Sequence, residues 1–143
     1  MIKKVPKIYT AGGIVNCKGR VLMIFKNAKW NFPKGRIKKN TEKKENALRE
    51  VCEETNLDLN KLKIVEKLPT THHFKIEKNK KKIIKITYWY AMSYSGSLND
   101  VKPQIKEGIY GCVWFGEDDL SFLSKNNTHY RVAYLINFWL KSR

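Results

Sequence analysis

The order of apolar and polar residues divides the chain into strands of alternating pattern and two stretches of helical period. Ile8 to Val15 and Arg20 to Phe25 are rich in β-branched side chains, and Asn16-Cys17-Lys18-Gly19 between them has the composition of a turn, so the pair predicts a hairpin. Gly12 and Gly13 interrupt the first of these strands, which predicts a bulge or a close backbone approach to substrate. Leu62 to Leu68 predicts a further strand. Thr71 to Glu77 and Lys81 to Tyr94 predict the arms of a second hairpin around the solvated tip Lys78-Asn79-Lys80-Lys81-Lys82. Alternation along its second arm puts Ile84, Ile86, Tyr88, Tyr90 and Met92 on one face. Ile109 to Phe115 reads as the last strand.

Glu42 to Thr55 contains neither Gly nor Pro and sets Ala47, Leu48 and Val51 at helical spacing. Asn40 or Thr41 is the expected N-cap, Glu42 and Glu45 lie at the positive end of the helix dipole, and Asn56 suits the left-handed residue past the C-terminus. Tyr130 to Trp139 predicts a closing amphipathic helix, with Val132, Leu135, Ile136, Trp139 and Leu140 as its core stripe. Strands interspersed with two main helices place the chain in the α/β (α+β) class, as a sheet with helices on its two sides. With no internal repeat or linker, residues 1–143 read as a single domain.

Composition narrows the setting. At 42% hydrophobic residues over 143 positions the chain can bury a real core. No apolar run approaches membrane-spanning length, and Met1 to Pro6 is too short and polar for a signal peptide, so a cytoplasmic protein without a membrane partner is expected. Cys17, Cys52 and Cys112 are odd in number and lack metal or disulfide spacing, which fits a reducing compartment. The net charge of +16 draws the chain toward polyanions such as nucleotides and RNA. The excess comes from 24 lysines against five arginines, in a chain also rich in Asn and Ile. All three residues have AT-rich codons, so compositional bias accounts for much of it. Nothing points to an obligate protein partner.

The candidate chemistry lies on the first helix. Glu50, Glu53 and Glu54 stand at i, i+3 and i+4 and are neighbours on one helical face. Like charges so close call for a cation among them, and carboxylate oxygens suit a hard divalent ion, Mg2+ or Mn2+. Ahead of the helix, Pro33-Lys34-Gly35 reads as a turn whose Gly35 carbonyl is free to add another oxygen ligand.

Gly35, Arg49, Glu50, Val51, Glu53, Glu54 and Leu57 stand in the register of Gly, five spacers, Glu, seven spacers, Arg-Glu, apolar, any, Glu-Glu, any, Gly, apolar. This resembles the Nudix box. Two positions depart from it, Thr41 standing where the family has Glu and Asn56 where it has Gly. The resemblance implies an αβα sandwich with a mixed β-sheet flanked by helices. It also implies metal-dependent hydrolysis of a pyrophosphate linkage in a nucleoside diphosphate-X substrate. By the same resemblance Glu50, Glu53 and Glu54 bind metal, Glu53 is the leading candidate for the base, and Arg49 holds a carboxylate in place. Glu107, shortly before the last strand, stands where the family usually has a further acid, as ligand or base. The base stays open between these carboxylates.

The aromatic residue followed by Pro33-Lys34-Gly35 is similar to dinucleoside polyphosphate hydrolases and RNA pyrophosphohydrolases, and the same tripeptide occurs in diphosphoinositol polyphosphate-like branches. A dinucleoside polyphosphate such as diadenosine tetraphosphate leads. The alternatives are the 5′ end of RNA, a nucleoside triphosphate or nucleotide sugar, and a catalytically weakened nucleotide-binding domain. Lys34 and Arg36 are the expected phosphate contacts, and His73 and Tyr88 the expected contacts to a base.

Overall fold

The computed structural model describes residues 4–143, so the first three residues of the Met1 to Pro6 segment lie outside the described residues. In chain order the elements are β1 (Lys7–Cys17), β2 (Arg20–Lys26), β3 (Lys29–Asn31), β4 (Lys34–Arg36), α1 (Lys43–Thr55), β5 (Leu62–Lys67), β6 (Thr71–Ile76), β7 (Lys82–Tyr94), β8 (Ile109–Phe115), α2 (Glu117–Lys125) and α3 (Tyr130–Lys141). The strands form one mixed sheet. The β1–β2 hairpin closes on Lys18 and Gly19, both at positive φ (53° and 78°), as a two-residue hairpin loop requires.

β1 is the spine of the sheet. Along one edge it pairs with β7 in parallel, from Lys7↔Ile84 to Asn16↔Ser93. Its other edge is shared by two antiparallel partners, β4 opposite Thr10 to Gly12 and β2 opposite Asn16 and Cys17. The far edge of β7 is likewise shared by β5 and β6, and β2 carries β8 and β3.

Alternation of side chains sorts the core into two layers. On one side Ala11, Val15, Leu22, Tyr90 and Met92 pack against Ala47 and Val51 of α1. On the other, Ile14, Met23, Phe32, Trp89 and Ala91 pack against Leu120 and Leu123 of α2 and Val132, Leu135, Ile136 and Trp139 of α3. The result is an αβα sandwich. The expected face of β7 is present, and its opposite face is buried as well because helices cover both sides.

Several local expectations are corrected. α2 is a third helix, which the sequence hides because only Leu120 and Leu123 of its nine residues are buried; Glu117, Asp118 and Asp119 in its first turn favour it through the dipole. Lys34 and Gly35, expected in a turn with Pro33, form β4 together with Arg36, and β3 is equally short. Neither Asn40 nor Thr41 caps α1; the N-cap is Glu42, without a side-chain bond, while Asn56 is left-handed at φ 62° as expected. Gly12 and Gly13 form no bulge; the ladder irregularities lie at Phe25/Lys26 and Ile64/Glu66. What approaches Gly12 is the protein itself: a Cβ there would run into the Pro33 carbonyl and the Lys34 side chain.

Gly12→Ala is therefore expected to destabilise the fold by about 2 kcal/mol through overpacking against backbone. In Gly111→Ala the added carbon meets nothing nearer than Phe25 Cβ at 3.5 Å, so that variant serves as the neutral control. Urea unfolding of both checks this, and equal midpoints would refute it.

Candidate active site

The site is built where β4 is wedged between β1 and α1. The Gly13 N–H donates to the Pro33 carbonyl at 3.1 Å and the Ile37 N–H to the Tyr9 carbonyl at 3.1 Å. In an antiparallel ladder this phase makes Ala11–Gly35 a bonded pair and turns the N–H and C=O of Lys34 away from β1. The Lys34 N–H accordingly donates to Glu54 Oε1 at 2.8 Å. The expectation of a free Gly35 carbonyl is thus corrected: that oxygen faces the Ala11 N–H, and the outward carbonyl beside the carboxylates belongs to Lys34. Gly35 has a different task, since a Cβ there would overlap the carboxylate of Glu50.

Arg49 organises the other two glutamates. Its Nη1 donates to Glu50 Oε1 at 2.6 Å and to Glu53 Oε1 at 3.2 Å, and its Nη2 donates to the Arg36 carbonyl at 3.1 Å and to Asn46 Oδ1 at 2.8 Å. The guanidinium fork ties α1 to the end of β4 while neutralising the helix face. Burial pushes the Glu50 carboxyl up, against the pull of Arg49. Burial also raises Glu54 to about 7, opposed by the Lys34 amide and by the charges of Lys26 and Lys34. Glu107, in the turn Ile105–Glu107, adds its repulsion to both carboxyls, which places it within electrostatic reach of the box. Burial lifts the Cys52 thiol to about 11, so it offers no thiolate.

Among the described residues no three His, Cys, Asp or Glu side chains converge on one point. Glu50 and Glu53 are turned to Arg49, and Glu54 to a backbone amide. The donor chemistry still fits a hard divalent cation. Three carboxylates and the Lys34 carbonyl are all oxygen donors, and a buried carboxyl raised to about 7 is one that a cation would ionise.

Beside Glu54 opens a cleft of about 650 Å3. Lys34 and His73 line it, as expected of substrate contacts, together with Lys26, Lys29, Lys75, Lys85 and Arg131. Burial and mutual repulsion lower Lys34 to about 8 and also lower Lys85; burial alone lowers Arg131. Glu54 is the only carboxylate on the lining, and none of the ion pairs among the described residues lies there. Burial and the nearby cations push His73 down to about 4, and its buried Nδ1 has no hydrogen-bond partner. The ring is thus neutral, with one buried nitrogen unused.

Arg36 and Tyr88, also expected at the substrate, do not line this cleft. They line a second groove of about 510 Å3 with Tyr9, Lys7, Lys38, Lys39 and Lys43. There Tyr88 stacks on Tyr9 with centroids 6.3 Å apart, and Lys43 Nζ lies 4.0 Å over its ring. Sequence reasoning missed Lys26, Lys29, Lys75, Lys85, His129 and Arg131, each a lone basic residue in a lysine-rich chain. Arg131 had one available signal, as one of only five arginines.

A family model described as NUDIX domain matches residues 8–135. Among solved structures, a Caenorhabditis elegans Ap4A hydrolase binary complex is 18% identical, with a TM-score of 0.70 over 94% of this chain and 96% of that one. A NUDIX hydrolase from Nitrosomonas europaea is 17% identical, with a TM-score of 0.73 over 96% and 90% of the two chains. The dihydroneopterin triphosphate pyrophosphohydrolase of Escherichia coli is 14% identical, with a TM-score of 0.69 over 98% and 100%. Identities this low speak for the fold. No helix among the described residues is long and apolar enough to cross a membrane.

The raised carboxyl of Glu54 gives a pH signature. Between pH 4.5 and about 7 the unfolded chain has released this proton and the folded chain retains it, so the group's contribution is full below pH 4.5 and is lost as pH rises through about 7. In metal-free buffer, the melting temperature of the wild type relative to Glu54→Gln should fall from pH 5 to pH 8. A difference that stays flat over that range would show that Glu54 ionises normally.

Proposed function

The chain belongs to the NUDIX family of pyrophosphohydrolases, and we propose that it cleaves a dinucleoside polyphosphate such as diadenosine tetraphosphate at a pyrophosphate linkage. The observation that carries this reading is the cleft beside Glu54, where six Lys and Arg side chains face one carboxylate. Cations held at mutual cost are relieved by a ligand with several phosphates, and a long phosphate chain fits better than a single anion. Phe74 lies at the same lining, 67% exposed, and offers a face to a base. An Ap4A hydrolase, that of C. elegans, is among the proteins that share this fold.

In this reading Glu50, Glu53 and Glu54 hold Mg2+ or Mn2+, which when bound neutralises phosphate charge and acidifies the attacking water. Glu53, the most exposed of the three, takes the water proton, with Glu107 as the second candidate base. Arg49 holds Glu50 and Glu53, and Lys34 and Arg131 orient the phosphates.

One observation favours a second reading, removal of pyrophosphate from the 5′ end of RNA. The Tyr9–Tyr88 groove joins stacked aromatic rings to five cations, the composition of a surface that follows a single strand.

Diadenosine tetraphosphate, a 5′-triphosphorylated oligoribonucleotide and nucleoside triphosphates, incubated with the protein and Mg2+ in 18O-labelled water, rank these substrates and locate the attacked phosphorus. The dinucleotide should turn over fastest, and inertness toward all of them would overturn the reading. Glu53→Gln should lower kcat by roughly a hundredfold or more with the fold intact. A near-normal rate would remove Glu53 from the mechanism.

A further inference from the structure

Position 41, where the Nudix box has a glutamate, holds a threonine that is fully engaged. Thr41 Oγ1 donates to the Lys38 carbonyl at 2.5 Å and accepts from Asn46 Nδ2 at 2.6 Å. Asn46 is 1% exposed and uses its whole amide: Nδ2 also donates to the Glu42 carbonyl at 2.5 Å, while Oδ1 accepts from the Lys38 N–H at 2.9 Å and from Arg49 Nη2 at 2.8 Å. Turned over, the amide would set its NH2 against two donors and its oxygen against a carbonyl, so these partners fix its orientation.

Resting on the reading above, we propose that Asn46, oriented by Thr41, is the positioning residue that replaces the missing box carboxylate. It acts through Arg49. The amide oxygen and the Arg36 carbonyl anchor Nη2, which leaves Nη1 aimed at Glu50 and Glu53. A neutral acceptor suits this place because it holds the guanidinium without drawing its charge from those glutamates. A carboxylate there would add a further negative charge beside a helix face that already carries three. Asn46 and Thr41 thus supply geometry where the usual residue supplies geometry and charge.

The test combines steady-state kinetics on diadenosine tetraphosphate with Mn2+ binding followed by electron paramagnetic resonance. Asn46→Ala should lower kcat and weaken Mn2+ binding by roughly 10- to 100-fold, with KM changed less than about threefold. Asn46→Asp keeps the acceptor for Arg49 and Lys38 but loses both Nδ2 donations and draws on the guanidinium's charge, so it should lie between Asn46→Ala and wild type in both readouts. Thr41→Glu should give no gain alone, yet recover kcat about tenfold when added to Asn46→Ala, a rescue that a merely structural role does not produce. Wild-type kcat and Mn2+ affinity in Asn46→Ala, or a loss that Thr41→Glu leaves untouched, would overturn the proposal. Should Asn46→Ala not fold, Thr41→Val, which removes the acceptor that orients Asn46, carries the test: wild-type kcat and Mn2+ affinity there would overturn the proposal. A wild type inert toward every nucleotide would sink the substrate reading alone, because the Mn2+ affinities still judge Asn46.

Discussion

The site depends on how closely one three-residue strand can be gripped from both sides. β4 lies on β1 because Gly12 has no side chain to hold off Pro33 and Lys34, and it lies on α1 because Gly35 leaves room for the carboxylate of Glu50. From that double contact the rest follows. The Lys34 amide reaches Glu54, the Arg36 carbonyl reaches Arg49, and one glutamate of the helix, Glu54, comes to line the cleft. Two missing methyl groups thus set the depth at which charged side chains meet backbone.

The charges on either side of β4 are handled differently. On α1, repulsion among carboxylates is met internally by Arg49, whose planar fork serves two glutamates and two backbone-anchored acceptors at once. Across the cleft, the lysines and Arg131 have no comparable counter-ion among the described residues. Their burial and mutual repulsion are tolerable because the remaining core is well packed on both faces of the sheet. One half of the site is electrically complete, and the other half waits for a polyanion.

The box helix was legible because periodicity, charge spacing and the left-handed Asn56 all act within a few residues of one another. The strands of β1, β2, β7 and β8 were legible for the same reason. The cleft was not, since Lys26, Lys34, His73, Lys85 and Arg131 come from five separate elements and only tertiary pairing brings them together. β3 and β4 are too short to show alternation, and α2 buries too few residues to show a stripe. Gly12 signalled a close approach correctly but not its object, which is the protein's own backbone. Asn46 stands out in no sequence pattern, because its bonds to Lys38, Thr41, Glu42 and Arg49 depend on the three-dimensional arrangement.

The parallel pairing of β1 with β7 has a consequence for how the molecule comes into being. These strands meet across some 77 residues, and no local hairpin can substitute for that closure. During synthesis the box helix emerges early, as an isolated acidic turn of chain with nothing to hold its shape. The cleft exists only once β7 has docked and the ribosome has passed Arg131. The cleft therefore forms late, and a product interrupted before Arg131 carries the recognisable motif without that pocket.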